Sequence, residues 1–380
     1  AGVMTLLMTL SCCLKVSAEE EIQITSPSAL LMEASTGMVL YEKDADTRRH
    51  PASVTKIMTL LLIFEAIEEG KISLEESAVT SAHAKSMGGS QVFLEEGESQ
   101  TVETLIKCIV IASGNDAAVT MAEHIAGTEE AFVAKMNEKA KALGMENTHF
   151  EDCCGLTDST EHYTSARDIA IMTRELTTRF PKIFEYSKIW MENITHVTRN
   201  GSSEFGLTNT NKLLRSFEGC TGLKTGSTSM AKFCLSATAT RNNIDLISVI
   251  MAGPDSKTRF RDAAALLTYG FGICSVYCDE EPPELPDAMI QNGIKDTVPC
   301  HYGNTFSYLS TKNENFSEIE KQMMWVEELE APVEAGQQIG TLSYILNGKE
   351  IGNVPILASE DVKRANYIDY LKKAAESWLL

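Results

Sequence analysis

The stretch from Pro51 to Phe64 constrains the fold of this chain more than any other. It predicts a helix that is apolar on nearly every side. Its apolar residues are Ile57, Met58, Leu60, Leu61, Leu62, Ile63 and Phe64. A helix of this kind is buried in the middle of a large domain. Because the run is shorter than the about 20 apolar residues needed to span a bilayer, we expect a globular domain packed around it.

Two polar residues stand at the beginning of this helix. Ser53 and Lys56 are three residues apart, so a helix places them on one face. The backbone N–H groups at a helix N-terminus favour negative charge, and the lysine one turn on can reach the hydroxyl. The pair is a nucleophile beside a candidate base. The same spacing also arises by chance in structural helices, so its meaning depends on the residues downstream.

The composition bounds the class of protein. At 380 residues the chain can build a large core, and two domains are the better expectation. The apolar and charged fractions are those of a globular protein. The formal net charge is −20, which argues against nucleic acid as a partner because binding phosphates requires basic patches.

Residues 1–18 predict a signal peptide. A short apolar region is followed by Val16-Ser17-Ala18, which matches a small-x-small cleavage site. The charged region that should precede it is missing and the sequence does not open on Met, so we expect that the first few residues are not included. The alternatives are a buried core helix and, from Cys12, a lipoprotein, although Thr9 stands where a leucine is expected. Export is the favoured interpretation.

The cysteines predict neither a disulfide framework nor a metal site. Export permits disulfides, but Cys153 and Cys154 are adjacent, while Cys108 and Cys234 lie in apolar, core-like segments. The candidate zinc ligands are Cys274, Cys278, Cys300 and His301. No second pair of ligands completes a tetrahedral set. We expect mostly free, buried thiols, no metal and no cofactor.

The order of strand and helix patterns predicts the main fold. Runs 29–33 and 38–42 flank a turn at Gly37 and predict a hairpin. Helical patterns dominate from about residue 54 to 178, and the clearest are 102–111, 117–125, 129–143 and 165–177. Strand-like runs return at 222–227, 233–240 and 246–251, before a helix at 259–269. Residues 26–273 are thus predicted to form an α/β domain with an antiparallel sheet flanked by helices.

A proline-rich break at residues 282–286 precedes a second unit. Short alternating runs and the Asn347-Gly348 turn predict a small all-β domain over residues 282–359. Residues 360–380 predict an amphipathic helix with lysines on its polar side. Its apolar stripe is Val362, Ala365, Ile368, Leu371, Ala375 and Trp378. Such a helix can anchor a protein to a membrane surface, and the alternative is a helix docked on its own protein.

Three polar sets stand far apart in the sequence. They are Ser53-x-x-Lys56, Ser113-Gly114-Asn115 and Lys224-Thr225-Gly226. Their order matches the signature of penicillin-binding proteins and serine β-lactamases. The flanking residues resemble most closely the low-molecular-weight penicillin-binding proteins that are serine-type D-alanyl-D-alanine carboxypeptidases. The segments that carry this resemblance are 51–59, 112–117, 154–156, 162–168, 209–214 and 222–228. It runs from about residue 28 to 271 and continues more weakly through the β domain.

The resemblance implies a penicillin-binding-protein/β-lactamase-like transpeptidase domain and gives three residues catalytic roles. Ser53 would attack the carbonyl of the penultimate D-Ala and become acylated. Lys56 would be its base, with a pKa lowered by burial and by the positive charge of Lys224. Ser113 would relay a proton to the leaving amine, and Asn115 would order Lys56 and the substrate amide.

The same resemblance implies the substrate-binding residues. Those expected on the terminal carboxylate are Lys224, Thr225 and Arg259. The backbone N–H groups of Ser53 and Ser227 would form an oxyanion hole, and Gly226 would let the substrate approach the strand. Two departures from the family pattern stand out: Asp-Cys-Cys-Gly at 152–155 replaces an Asn-Pro-x-Gly type of turn, and Ser227 stands where some relatives have a bulky residue.

These features predict an exported carboxypeptidase at the extracytoplasmic face of the bacterial membrane and cell wall. Its expected partners are peptidoglycan stem peptides ending in D-Ala-D-Ala, β-lactam antibiotics as inhibitors, and the membrane surface. One alternative is a serine β-lactamase, although such enzymes usually carry Ser-Asp-Asn in the second motif and lack an appended β domain. The other is a non-catalytic wall-binding protein that has kept the motifs.

Overall fold

The computed structural model describes residues 22–199, 201–312 and 314–371. The predicted signal peptide and residues 372–380 of the predicted C-terminal helix lie outside the described residues. The helices are α1 (Lys56–Glu68), α2 (Ala82–Lys85), α3 (Val102–Val110), α4 (Asn115–Ala126), α5 (Glu129–Ala142), α6 (Ala166–Arg179), α7 (Ile183–Ser187), α8 (Leu213–Ser216) and α9 (Ser256–Ile273).

The strands are numbered in chain order as well. Those of the first part of the chain are β1 (Ser28–Glu33), β2 (Val39–Lys43), β3 (Ser77–Val79), β4 (Ser99–Thr101), β5 (Met191–Thr198), β6 (Gly201–Thr208), β7 (Cys220–Thr228), β8 (Lys232–Arg241) and β9 (Ile244–Gly253). Those that follow are β10 (Ser275–Cys278), β11 (Ala288–Met289), β12 (Thr297–Val298), β13 (Cys300–Tyr302), β14 (Ser307–Ser310), β15 (Glu320–Trp325), β16 (Gln338–Leu346) and β17 (Lys349–Ala358).

A five-stranded antiparallel sheet in the order β2-β1-β9-β8-β7 organises the first part of the chain. Successive side chains of a strand point to opposite faces. In β1, Leu30 and Met32 join the core that contains α1, whereas Ala29 and Leu31 join the core that contains α9. Both faces are therefore covered by helices, which confirms the predicted fold class.

Helix α1 lies at the centre of the larger core. Ile57, Leu60, Leu61 and Ile63 are fully buried, as the all-round apolar pattern predicts. The helix begins at Lys56, and a 3₁₀ turn over Ala52–Thr55 precedes it. Ser53 therefore lies in this turn. Because side chains three residues apart are eclipsed in a 3₁₀ turn, the hydroxyl still faces Lys56.

Several strands of the helical region have no counterpart in the sequence analysis. Strands β5 and β6 form a hairpin over residues 191–208, and β3 pairs with β4. The two strand pairs are joined by a buried contact in which His196 Nδ1 in β5 lies 2.8 Å from Oε1 of Glu98, the residue before β4. Strands β3 and β4 are only three residues long, and β5 and β6, with eight residues each, are largely polar. They carry little of the apolar alternation that is the usual sequence signal of a strand.

The end of the chain forms the predicted all-β domain. Its largest sheet has the order β13-β17-β16-β15. The prediction that residues 360–366 are helical is wrong: Val362 pairs with Val333, Arg364 pairs with Gly293, and helical residues begin at 367. Val362 is fully buried in the β-domain core, so it cannot contribute to an exposed apolar stripe. Isolated bridges of this kind leave no periodic signal in a sequence.

The described residues also bear on the predictions about cysteines and membrane spans. Eight cysteines are free thiols, and five of them are buried. Within the ranges described above, no cluster of potential ligands is arranged to hold a metal ion. No helix in these ranges combines the length and the apolar character that crossing a membrane requires.

Candidate active site

The site lies where five segments of the chain meet. These are the 3₁₀ turn with the start of α1, the loop before α4, strand β7, a turn at residues 151–157, and the start of α9. The structure brings the three predicted motifs together around two buried lysines. We call the first group the Lys56 cluster, which consists of Ser53, Lys56, Asn115 and the Cys154 carbonyl. The second is the Lys224 cluster, which consists of Ser113, Lys224, Thr225, Gly226 and Arg259.

In the Lys56 cluster the ammonium group has three hydrogen-bond partners. Lys56 Nζ lies 3.0 Å from Ser53 Oγ, 2.5 Å from Asn115 Oδ1 and 2.9 Å from the carbonyl oxygen of Cys154. Lys56 is fully buried, whereas Ser53 is half-buried and can be reached from solvent. Asn115 is held in turn, because its Nδ2 donates to the Gly88 carbonyl at 2.7 Å.

In the Lys224 cluster the ammonium group makes two described hydrogen bonds. Lys224 Nζ donates to Ser113 Oγ at 2.7 Å and to the carbonyl oxygen of Thr225 at 3.1 Å. Ser113 has a φ of 62°, a conformation that few non-glycine residues adopt and that recurs at active sites. Thr225 Oγ1 is oriented by Thr210 Oγ1 at 2.7 Å, a contact that the sequence analysis did not anticipate.

Burial lowers the pKa of both lysines. For Lys56, burial is the largest cause, and the carboxylates of Asp152 and Asp116 oppose it. For Lys224, burial lowers the pKa well below its ordinary value, and the positive charges of Lys56 and Arg259 lower it further. The repulsion between the two ammonium groups is mutual, so protonation of either lysine disfavours protonation of the other.

Strand β7 passes very close to the 3₁₀ turn at Gly226. A Cβ atom at this position would lie 2.8 Å from the Pro51 carbonyl oxygen and 2.9 Å from the backbone nitrogen of Ser53. Only glycine allows this approach. It brings the backbone at residues 226–227 next to the Ser53 N–H, and Ser227 itself is exposed.

Arg259 completes the Lys224 cluster from helix α9. Its Nη1 donates to the carbonyl oxygens of Gly226 and Cys234, both at 3.1 Å. Burial lowers its pKa to about 10, so it stays protonated at neutral pH. Its Nε is buried and has no protein partner. A buried donor without a partner is costly, and here it lies in a region of excess positive charge.

The turn at residues 151–157 contributes to the site through its backbone. The Asp152 carboxylate accepts hydrogen bonds from the N–H groups of Cys154, Gly155, Leu156 and Thr157. This arrangement fixes the Cys154 carbonyl that accepts from Lys56. The sequence analysis noted this turn only as a departure from the family pattern, because a carbonyl oxygen is common to every residue and has no sequence signature.

Most of the chain matches two sequence models of known families. Residues 15–255 match the sequence model of the family described as D-alanyl-D-alanine carboxypeptidase. Residues 284–364 match the model of the penicillin-binding protein 5 C-terminal domain. The first match alone covers more than half of the chain.

Individual relatives agree with the family models. The D-alanyl-D-alanine carboxypeptidase DacF of Bacillus subtilis is 39% identical over 359 residues, which cover 94% of this chain and 91% of that protein. DacA of Escherichia coli is 32% identical over 371 residues, which cover 94% and 89%. The crystal structure of penicillin binding protein 5 from Haemophilus influenzae has a TM-score of 0.70 and 31% identity, and the match covers 90% of this chain and 98% of that one.

Proposed function

The chain belongs to the D-alanyl-D-alanine carboxypeptidase family of serine-type, penicillin-binding hydrolases, and from that premise we propose its mechanism and location. The protein is exported and removes the terminal D-Ala from peptidoglycan stem pentapeptides. It does so through an acyl-enzyme on Ser53, with Lys56 as the base. The observation that carries this proposal is the set of hydrogen bonds around Lys56.

Those hydrogen bonds determine which partner faces the lone pair of a neutral Lys56. A neutral amine has two N–H donors and one lone pair. Asn115 Oδ1 and the Cys154 carbonyl oxygen can only accept, so they take the two N–H groups. The lone pair then faces the Ser53 hydroxyl, which is the one partner of the three that can donate. Burial favours this neutral state because it lowers the pKa of Lys56.

The acylation step follows from this arrangement. Ser53 Oγ forms a bond to the carbonyl carbon of the penultimate D-Ala, and its proton passes to Lys56 Nζ. The negative charge on the carbonyl oxygen is stabilised by the N–H groups of Ser53 and Ser227. The peptide C–N bond then breaks, and the leaving D-Ala nitrogen takes up a proton that reaches it from Lys56 through Ser113. The products are free D-Ala and an ester on Ser53.

The Lys224 cluster binds the terminal carboxylate of the substrate. Lys224 and Arg259 supply positive charge, and Thr225 and Ser227 supply polar contacts at the edge of β7. The support for this role is electrostatic, because both cations are buried with too few acceptors and both have lowered pKa values. A bound carboxylate would relieve that imbalance.

Deacylation requires a water molecule to add to the ester, after which the shortened peptide leaves as a carboxylic acid and Ser53 regains its proton. A serine β-lactamase uses a dedicated carboxylate for this step. The neighbouring turn has two acidic residues, of which Glu151 is exposed and Asp152 is half-buried. We therefore consider Asp152. Its two oxygens already accept four backbone N–H groups. This argues against efficient β-lactam hydrolysis and for a penicillin adduct that persists.

The proposed function is tested by the release of D-Ala from a synthetic pentapeptide that ends in D-Ala-D-Ala. The wild-type protein should release D-Ala, the S53A variant should release none, and a control peptide ending in L-Ala should not be cleaved. Release that survives in a folded S53A variant, or no release by the wild type, would contradict the proposal.

We place the protein at the membrane surface through its C-terminal residues. Helical residues begin at 367, where Tyr367, Ile368, Tyr370 and Leu371 are all exposed. Four exposed apolar side chains in five residues favour an interface over water. Removal of residues 367–380 keeps the buried Val362 in place, so it should abolish binding to anionic liposomes and leave D-Ala release unchanged. Equal flotation of both forms would overturn the assignment.

A further inference from the structure

A buried histidine outside the three motifs connects two parts of the Lys56 cluster. His162 is 1% exposed. Its Nε2 lies 2.9 Å from Thr55 Oγ1, and its Nδ1 accepts from the backbone N–H of Glu151 at 3.0 Å. Thr55 immediately precedes Lys56, and Glu151 begins the turn that presents the Cys154 carbonyl to Lys56. The imidazole therefore links the residue before Lys56 to the turn that presents the Cys154 carbonyl.

The partners of the ring fix its protonation state. A backbone N–H can only donate, so Nδ1 must carry a lone pair. The proton of the neutral ring is then on Nε2 and is donated to Thr55 Oγ1. A second proton would have to go to Nδ1, where it would face the Glu151 N–H. Protonation would thus break the link to the turn.

The segment that carries His162 is itself anchored on both sides. Thr164 pairs with Arg49, which precedes the 3₁₀ turn, and Tyr163 pairs with His149, which precedes the 151–157 turn. The ring also packs edge-on against Phe150, with 5.8 Å between the ring centroids. His162 is therefore held in a fixed position relative to both segments that it joins.

We propose that His162 is a positioning residue for acylation, which in its neutral form sets the distance between Lys56 and the Cys154 carbonyl. The inference rests on the proposed role of Lys56 as the base. If the turn were free to move, Lys56 would lose one of the two acceptors that direct its lone pair at Ser53. Displacements of about 1 Å in such arrangements cost about 10²-fold in rate.

The role predicts a pH dependence with a definite sign. The groups that face the ring are Asp152, Glu151 and His149 from the turn and the residues before it, and His50 from the segment leading into the 3₁₀ turn. Burial lowers the pKa of His162 below its ordinary value of 6.5, and the negative charges of Asp152 and Glu151 oppose it. At His162 the folded protein thus binds fewer protons than the unfolded chain, so the stability contributed by the neutral ring is lost as the pH falls from about 6.5 towards the lowered pKa.

The test measures acylation rates with a fluorescent penicillin in four variants. His162→Gln keeps a donor and an acceptor at similar spacing and should acylate at about the wild-type rate. His162→Leu should be slower by about 10- to 100-fold, and Thr55→Val, which removes only the hydroxyl, should be slower as well. The double variant should be no slower than the worse single variant, because both changes remove the same link.

The pH profile separates this role from a purely structural one. Acylation by the wild type should fall with a slope of one while only Lys56 gains a proton, and more steeply below the lowered pKa of His162, whereas His162→Gln should keep a slope of one throughout. A folded His162→Leu that acylates at the wild-type rate, or a His162→Gln as slow as His162→Leu, would overturn the inference. If His162→Leu does not fold, a normal rate in Thr55→Val overturns it instead. No acylation of the wild type would refute the proposed function itself.

Discussion

The two buried lysines of the site differ in how many hydrogen-bond partners the protein gives them. Lys56 has three partners, which suffice for its ammonium group, and these come from three separate segments of the chain. Lys224 has two partners from the protein, and the nearby Arg259 has a buried Nε without one. The hydrogen-bonding capacity of the Lys56 ammonium group is therefore satisfied without a ligand. The Lys224 cluster, in contrast, has an excess of donors and positive charge.

This difference indicates a division of tasks. A complete set of acceptors fixes the position of the Lys56 amine, which is what a proton acceptor beside a nucleophile requires. An incomplete set leaves donors that an anion can satisfy, which is what a binding site for a carboxylate requires. The two lysines should therefore respond differently to mutation, pH and ligands.

The largest effect is expected from Lys56→Ala. Loss of a general base lowers rates by about 10²–10⁴-fold, and the acylation rate should fall by this factor while penicillin still binds reversibly. In the wild type the rate should rise with pH as Lys56 loses its proton, because burial brings its pKa below 10.5. Stopped-flow acylation measures both. A folded Lys56→Ala variant that acylates at a normal rate would assign the base elsewhere.

Lys224→Ala should weaken binding more than chemistry. Removing a charged hydrogen bond costs about 1.5–3 kcal/mol, which corresponds to about 10- to 100-fold in the apparent affinity for penicillin. The limiting acylation rate should change much less. The control is a β-lactam whose carboxylate is esterified, for which the two proteins should differ little. An equal loss with both ligands would mean that Lys224 does not contact the carboxylate.

A glycine pair tests how far the Lys56 cluster depends on close packing. Gly155 and Gly97 both have positive φ, at 78° and 79°. A Cβ on Gly155 would lie 1.9 Å from the Ala52 carbonyl oxygen, whereas a Cβ on Gly97 meets nothing within 4 Å. Gly97→Ala should lower the free energy of unfolding by only about 1–2 kcal/mol, which is the cost of alanine in a left-handed conformation.

Gly155→Ala should lower the free energy of unfolding by about a further 1–3 kcal/mol, because its Cβ overlaps the Ala52 carbonyl oxygen. It should also slow acylation, since Ala52 neighbours Ser53. Thermal unfolding and acylation rates of the two variants decide the matter. Equal losses of stability together with equal acylation rates would show that the packing of Gly155 against the 3₁₀ turn is unimportant.

The smallest expected effect is a proton taken up when a carboxylate binds. Lys224 has a pKa well below its ordinary value in the empty site, and a bound anion raises it again. Binding of a non-reactive D-Ala carboxylate analogue should therefore weaken as the pH rises through the pKa of Lys224. Calorimetry in buffers of different ionisation enthalpy measures the proton uptake. Release of a proton, or none transferred at any pH, would argue against the assignment.

The sequence predicted the parts of the fold that have a strong apolar pattern. The buried helix after Ser53, the β1–β2 hairpin and strands β7 to β9 were all expected, because alternation and all-round apolar character report burial directly. The β5–β6 hairpin was not expected because its strands, although eight residues long, are largely polar. Val362 was assigned to the wrong structure because an isolated bridge and a helix stripe can share the same apolar spacing.

The sequence likewise predicted some residues of the site and missed others. The motif side chains were identified because hydroxyl and lysine residues at fixed spacings are informative. The Cys154 carbonyl and the link from His162 to Thr55 were missed. A backbone acceptor is present at every position, and the contact between residues 55 and 162 depends on the tertiary fold.

The most direct test of the central claim is the intact mass of the protein after incubation with penicillin, followed by peptide mapping of the adduct. The account predicts one adduct per chain, located on Ser53, present for minutes or longer and absent from the S53A variant. An adduct on another residue, or no adduct on a folded wild-type protein, would contradict the claim that Ser53 is the nucleophile.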